Sequence, residues 1–150
     1  MASDYIVICP RRTFDFSGLG IGLIVIQTIR ERIWVGNYRE LTLMVRVHSK
    51  NFGSTGSIAI SVANELWCPK DPALQFVTSV TPGQSLASVS VSSNAPTASP
   101  IPPGVNGFAL GAGTTTSFGS HVRVCAYATG GSAVANLYAD LSIALILKGT

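Results

Sequence analysis

Two histidines and three cysteines are the residues best suited to hold a metal ion, but their spacing argues against a metal site. His121 and Cys125 fall on one face of HVRVC, yet no further ligand follows at metal spacing, and zinc normally takes four ligands. His48 stands alone. Cys9, Cys68 and Cys125 are odd in number, widely spaced and next to apolar runs, which predicts buried free thiols. We therefore expect neither a metal ion nor a cofactor.

The seven carboxylates are scattered along the chain, and nothing in the sequence pairs two of them for acid–base catalysis. Asp15 in FDFSG and Asp71 in KDP have the settings of turn residues, whose side chains accept hydrogen bonds from nearby backbone N–H groups. The glycine-rich stretches 18–22 and 111–113 match neither a dinucleotide-binding nor a P-loop pattern. The sequence therefore predicts a protein without enzymatic activity.

Aromatic residues offer an alternative function, carbohydrate binding. Trp67 lies beside a turn in ELWCPKDP, where a sugar-binding platform would be exposed, and tyrosines could extend that platform. The same aromatic residues more often pack in the core of a β-sandwich or at subunit contacts. The residues concerned are Trp34, Trp67, Tyr5, Tyr38, Tyr127 and Tyr138.

The charge distribution favours protein partners over nucleic acid. Net charge is only +3, and the basic residues do not form the dense stripe that nucleic-acid binding usually needs. Charged residues make up 11% of the chain, against about 25% in ordinary domains. No Asp, Glu, Lys or Arg occurs between Pro72 and His121. Such a surface is poorly protected against self-association, which predicts that much of it is buried against other chains.

The long segment 92–120 is the predicted subunit contact. It is rich in glycine and proline, too long for an ordinary connection, and it carries apolar side chains that a solvated loop rarely keeps. We expect four of these side chains to touch a neighbouring subunit or a shell protein beneath it: Ile101, Phe108, Leu110 and Phe118. The competing expectation is that the segment folds back over an open end of its own sandwich.

Period-two alternation predicts an all-β chain. In ELTLMVRVH the apolar side chains share one face, and SIAISVA resumes the pattern after a turn, so residues 40–63 indicate a β-hairpin. A second hairpin is predicted from 121–128 with 135–147, and a third from 74–80 with 85–91. Two further strands are expected at 5–9 and 21–29.

These elements predict one domain over 1–150, with no internal repeat. Its fold class is an antiparallel, jelly-roll-like β-sandwich of about eight strands with one long Pro/Gly-rich loop. Residues 1–12 are a candidate N-terminal arm. The N-terminus lacks the pattern of a secretory signal, and the most hydrophobic window, 18–29, is too short to span a bilayer. We therefore expect assembly in the host cytoplasm and no membrane partner.

The segment GNYRELTLMVRVHSKNFGSTGSIAISVANE and the closing ANLYADLSIALILKG resemble small all-β structural proteins of tailed bacteriophages. The resemblance covers about a third of the chain and rests on strand patterning. It implies a virion component, such as a capsid decoration protein, that is non-enzymatic and forms homo-oligomers. Its partners would be copies of itself, as a trimer or a larger assembly, and a capsid shell protein. The group shares no active-site motif, so the resemblance assigns no functional residues.

Overall fold

A computed structural model describes residues 3–36, 38, 40–52, 56–66, 70–71, 73, 76–77, 80–82, 85–91, 109–111, 121–131 and 136–148. Within these residues the chain forms nine β-strands in two antiparallel sheets and no α-helix. Seven strands have five or more residues, and the other two are short. The strands are β1 (Ser3–Asp15), β2 (Ile24–Trp34), β3 (Glu40–Asn51), β4 (Ser57–Leu66), β5 (Phe76–Val77), β6 (Ala87–Val91), β7 (Ala109–Gly111), β8 (His121–Thr129) and β9 (Tyr138–Lys148).

Sheet A has the order β1-β9-β3-β7, and sheet B has the order β2-β8-β4-β5, with β6 also paired to β4. The pairs β1–β9, β2–β8, β3–β7 and β4–β6 are nested, as in one long antiparallel ribbon. Rolling that ribbon up also joins β9 to β3 and β8 to β4. This nesting is the arrangement of a double-sheet jelly roll, and the predicted all-β antiparallel sandwich is confirmed.

The three predicted hairpins are wrong. β3 and β4 lie in different sheets, as do β8 and β9, while β5 and β6 each pair with β4 instead of with each other. The alternating pattern identifies which side chains point inward. It does not distinguish a strand that lies beside its predecessor from one that lies opposite it across the core, because both arrangements bury the same row. Gly56 N donates to Phe52 O at 3.3 Å where the chain crosses between the sheets.

The inward rows that alternation predicts form the core. All four apolar side chains of one row on β3 are buried, as are the three of β4 and the row of β9 together with the residue before it. The residues are Leu41, Leu43, Val45, Val47, Ile58, Ile60, Val62, Leu137, Ala139, Leu141, Ile143, Leu145 and Leu147. Facing rows from the two sheets interdigitate, and the apolar area they remove from water is the main stabilising contribution.

The two N-terminal strands differ in extent from the predictions. From Ser3 onward, the segment considered as a candidate arm belongs to β1, which pairs with β9 of its own chain. The strand predicted at 21–29 begins later, at Ile24, and continues to Trp34. Its start is delayed because Gly22, with φ of +73°, belongs to a turn. Of segment 92–120, only 109–111 is described, as β7.

Candidate assembly surface

The predicted contact residues fall largely outside the described part of the chain. Ile101, Phe108 and Phe118 lie outside it. For Leu110 the backbone is described: it belongs to β7 and pairs with Leu41 of β3. The predicted role of these four residues in subunit contact therefore stays a prediction.

A different apolar surface is exposed at the start of β2, which is the end strand of sheet B. Five apolar side chains at and just before this strand are between 37% and 73% exposed. We call them the β2 edge; they are Ile21, Leu23, Ile24, Val25 and Ile26. Isolated exposed apolar residues are ordinary, but a run of them on an end strand is typical of a surface that another chain covers.

A glycine turn places the β2 edge. Gly18 and Gly22 have positive φ values of 85° and 73°, which side chains disfavour. Gly22 N donates to Gly130 O, and Gly130 N donates to Leu23 O, both at 2.9 Å. A Cβ atom on Gly130 would lie only 2.1 Å from Gly20 O. The turn can therefore pack against the end of β8 only because residue 130 is glycine.

A second apolar surface lies on the outer face of sheet A. Tyr5 and Val7 of β1 are 64% and 48% exposed, and they pair with Ile146 and Ala144 of β9. Ala144 pairs in turn with Met44 of β3. We call these five residues the outer patch. They cross three adjacent strands, so two separate apolar surfaces lie on the described part of the molecule.

A buried carboxylate fixes the second half of β2. Glu65 accepts the backbone N–H of Arg32 at 2.7 Å and a hydrogen bond from Arg123 Nη2 at 2.8 Å. Arg123 Nη2 also lies 2.9 Å from Glu31 Oε2. Arg32 has a φ of +54°, at the place where the pairing of β2 with β8 shifts register. The carboxylate thus compensates for a strained backbone that ends the regular, apolar part of β2.

The pKa of Glu65 is held below its ordinary value. Burial of the carboxylate acts to raise the pKa. Hydrogen bonds from Arg123 and from the backbone of Arg32, together with the positive charges of these residues, outweigh the burial. The group is therefore a structural anion, and its position between two arginines does not suit it to accept protons near neutral pH.

The residues with chemical potential are dispersed in the structure. No group of three His, Cys, Asp or Glu side chains suited to a metal ion occurs among the described residues. Cys9 and Cys125 are buried free thiols, as predicted, and burial raises the pKa of both. Cys68 lies outside the described residues. His48 Nε2 and Ser142 Oγ are 2.7 Å apart on neighbouring strands, and the His121 ring meets Trp34 edge to face.

The predicted turn roles of two aspartates are confirmed. Asp15 Oδ1 accepts the backbone N–H of Ser17 at 2.9 Å, and Asp71 Oδ1 accepts that of Ala73 at 3.1 Å. The bonds to Ser17 lower the pKa of Asp15. Both carboxylates therefore serve local backbone geometry.

The aromatic residues that are described do not assemble into one platform. Tyr5 and Trp34 are exposed but belong to strands of different sheets, and the Tyr38 hydroxyl donates to Asp4. Trp67, the proposed centre of a sugar site, lies outside the described residues. Carbohydrate binding stays an untested alternative.

The part of the chain that the structure describes contains no helix long and apolar enough to cross a membrane. No protein-family model matches the sequence, and no curated protein matches it.

Solved structures with a similar chain fold include two of infectious bursal disease virus. The chain from the Gx strain has a TM-score of 0.48 and the one from the Gt strain 0.45, each with 12% identity. Each match covers 97% of this chain, which spans only about a third of the length of the virus chains (31% and 32%). Similarities of this size do not establish a shared function. Both of these solved chains come from a virus, and neither comes from a tailed phage.

Proposed function

We propose that the chain is a structural component of a virus particle, where it self-associates or decorates a capsid shell through apolar contacts. The observation that carries this proposal is the β2 edge, a run of exposed apolar side chains on an end strand. An unpaired, uncharged end strand readily adds a strand from another chain, so natural proteins usually protect it.

The outer patch and the uncharged stretch 72–121 support the same function. The first presents Tyr5 and Val7 above three strands of sheet A. The second lacks any Asp, Glu, Lys or Arg. Assembled particles repeat each contact many times, so surfaces of modest individual affinity suffice to hold a shell together. The resemblance to tailed-phage structural proteins is the reason for proposing a virus particle rather than another assembly.

Light scattering of the purified full chain, with negative-stain images, tests this function. A discrete oligomer or a regular particle is the expected result. A monomer at all concentrations, without binding to a capsid shell, contradicts the proposal.

A further inference from the structure

We propose that β2 is a two-fold contact at which the β2 edge of a second copy of this chain adds antiparallel, centred on Val25. The contact would join sheet B of the two copies into one continuous sheet. This inference rests on the proposed function, because it names the partner and the geometry of one self-association contact.

Backbone direction at the start of β2 supports strand addition. The carbonyl of Leu23 points at β8, since it accepts the N–H of Gly130. In an antiparallel ladder the backbone groups of successive residues point to opposite sides. Residues 25 and 27 therefore direct their N–H and C=O groups at β8, and Ile24 and Ile26 direct theirs toward the open side of the sheet. An added strand would bond to Ile24 and Ile26.

This alternation restricts the register of a second copy. Only residues whose backbone groups point outward can form hydrogen-bonded pairs, so Ile24 and Ile26 must meet outward-pointing residues of the other β2. Centring on Val25 pairs Ile24 with Ile26 of the second copy, twice, and Val25 with itself. Centring on Ile26 instead sets Val25 opposite Gln27 and Ile24 opposite Thr28, which buries apolar against polar side chains. The Val25 register therefore matches the side chains best.

Charge supports a second copy as the occupant. The nearest charged residues on either side of the β2 edge are Asp15 and Arg30. In the Val25 register Arg30 falls opposite position 20 of the second copy, so no like charges meet. Registers centred on Arg30 or Glu31 set like charges against each other, which is unfavourable. The strand is thus self-complementary around Val25 and only there.

The other edge strand of the same molecule shows what protection looks like. β1 carries Pro10, Arg11 and Arg12 in its middle, and its pairing with β9 shifts register at two places. Proline, positive charge and bulges are the usual means of blocking strand addition. The first half of β2 has none of these, which indicates that strand addition is permitted there.

Disulfide cross-linking of Val25→Cys in the full chain tests the contact. Residues opposite each other in a non-hydrogen-bonded antiparallel pair have Cα atoms about 4.5 Å apart, a separation that a disulfide can span. We expect most of the Val25→Cys protein to become a covalent dimer under mild oxidation. The wild-type chain, oxidised in parallel, is the control for its native cysteines. If Ile26→Cys is cross-linked and Val25→Cys is not, the proposed register is overturned.

Charge insertion is the second measurement. Ile26→Lys places a cation inside the contact, and we expect it to weaken self-association at least tenfold in sedimentation. Ile21→Lys is the matched control, because Ile21 is apolar and exposed but precedes the strand. Circular dichroism melts confirm that both variants fold. If the wild type assembles and Ile26→Lys assembles equally well, the two-fold contact is wrong while the proposed function stands; a monomeric wild type overturns both.

Discussion

The carboxylate of Glu65 on β4 accepts the backbone N–H of Arg32 on β2 across a distance of 2.7 Å, with β8 between the two strands. This bond couples a fully buried side chain to the one non-glycine residue with positive φ among those described. It defines where the regular, apolar half of β2 stops and where its bulged, charged half begins.

Removal of this carboxylate is expected to destabilise the fold. Glu65→Ala leaves Arg123 without its buried partner, and such a loss typically costs about 3 kcal/mol or more. Glu31→Ala is the matched control, because Glu31 pairs with the same arginine but is 47% exposed, so its loss should cost below about 1 kcal/mol. Urea unfolding of both variants measures the difference. Equal losses would show that the buried bond has no special role.

Stability should also depend on pH through Glu65. Its folded pKa lies below the ordinary value of 4.5, so its contribution is fully present above that value. The contribution is lost as the pH falls through the folded pKa, where the carboxylate becomes protonated. We expect the difference in unfolding free energy between the wild type and Glu65→Gln to shrink from pH 6 to pH 3. A difference that stays constant over this range contradicts the assignment.

Replacement of Gly130 by alanine should displace the turn that carries the β2 edge. The new Cβ atom would collide with Gly20 O, and relief requires backbone movement, which we expect to cost about 1–3 kcal/mol. Gly18→Ala tests conformational strain alone, because its φ is positive but a Cβ atom there meets nothing. Thermal melts rank the variants, and Gly130→Ala should melt lower than Gly18→Ala.

The two buried thiols should be inert in the folded protein. Cys9 and Cys125 are buried, and burial raises the pKa of each, so little reactive thiolate forms. In the Cys68→Ser variant, we expect negligible reaction with a disulfide reagent until denaturant is added, when two thiols per chain react. Rapid labelling of the native variant would show that one of the two sites opens.

The predicted contact in segment 92–120 has its own test. Phe108→Ser combined with Leu110→Ser should abolish assembly without changing the melting temperature if these side chains touch a neighbour. A lowered melting temperature instead indicates that they cover their own sandwich. Light scattering and calorimetry on the same sample separate the two results.

Sequence patterning predicted the strands better than their partners. The alternation of Leu41, Leu43 and Val45 correctly predicts an inward row, because burial on one face of a strand leaves a period of two in the sequence. Which strand lies beside which is decided by contacts between residues far apart in sequence, such as Arg11 with Asp140, and alternation carries no record of them. For this reason all three hairpins were mispredicted.

The candidate surface was missed for a related reason. The composition of residues 18–29 indicated only a hydrophobic window too short for a bilayer. An apolar run on a central strand and one on an end strand have the same composition, and only the sheet order distinguishes them. Once β2 is known to be an end strand, the absence of charge from Phe16 to Ile29 becomes the signal for an exposed contact.

The nested strand order also has a consequence for synthesis of the chain on the ribosome. β2 has β8 as its partner, and β1 has β9, so both wait until nearly the whole chain has been translated. Contacts of such long sequence separation slow folding, and until they form the apolar strands remain open to wrong partners. Correct association of copies thus depends on β8 and β9 arriving before another nascent chain pairs with β2. The time between translation of β2 and of β8 is therefore the period in which aggregation competes with particle formation.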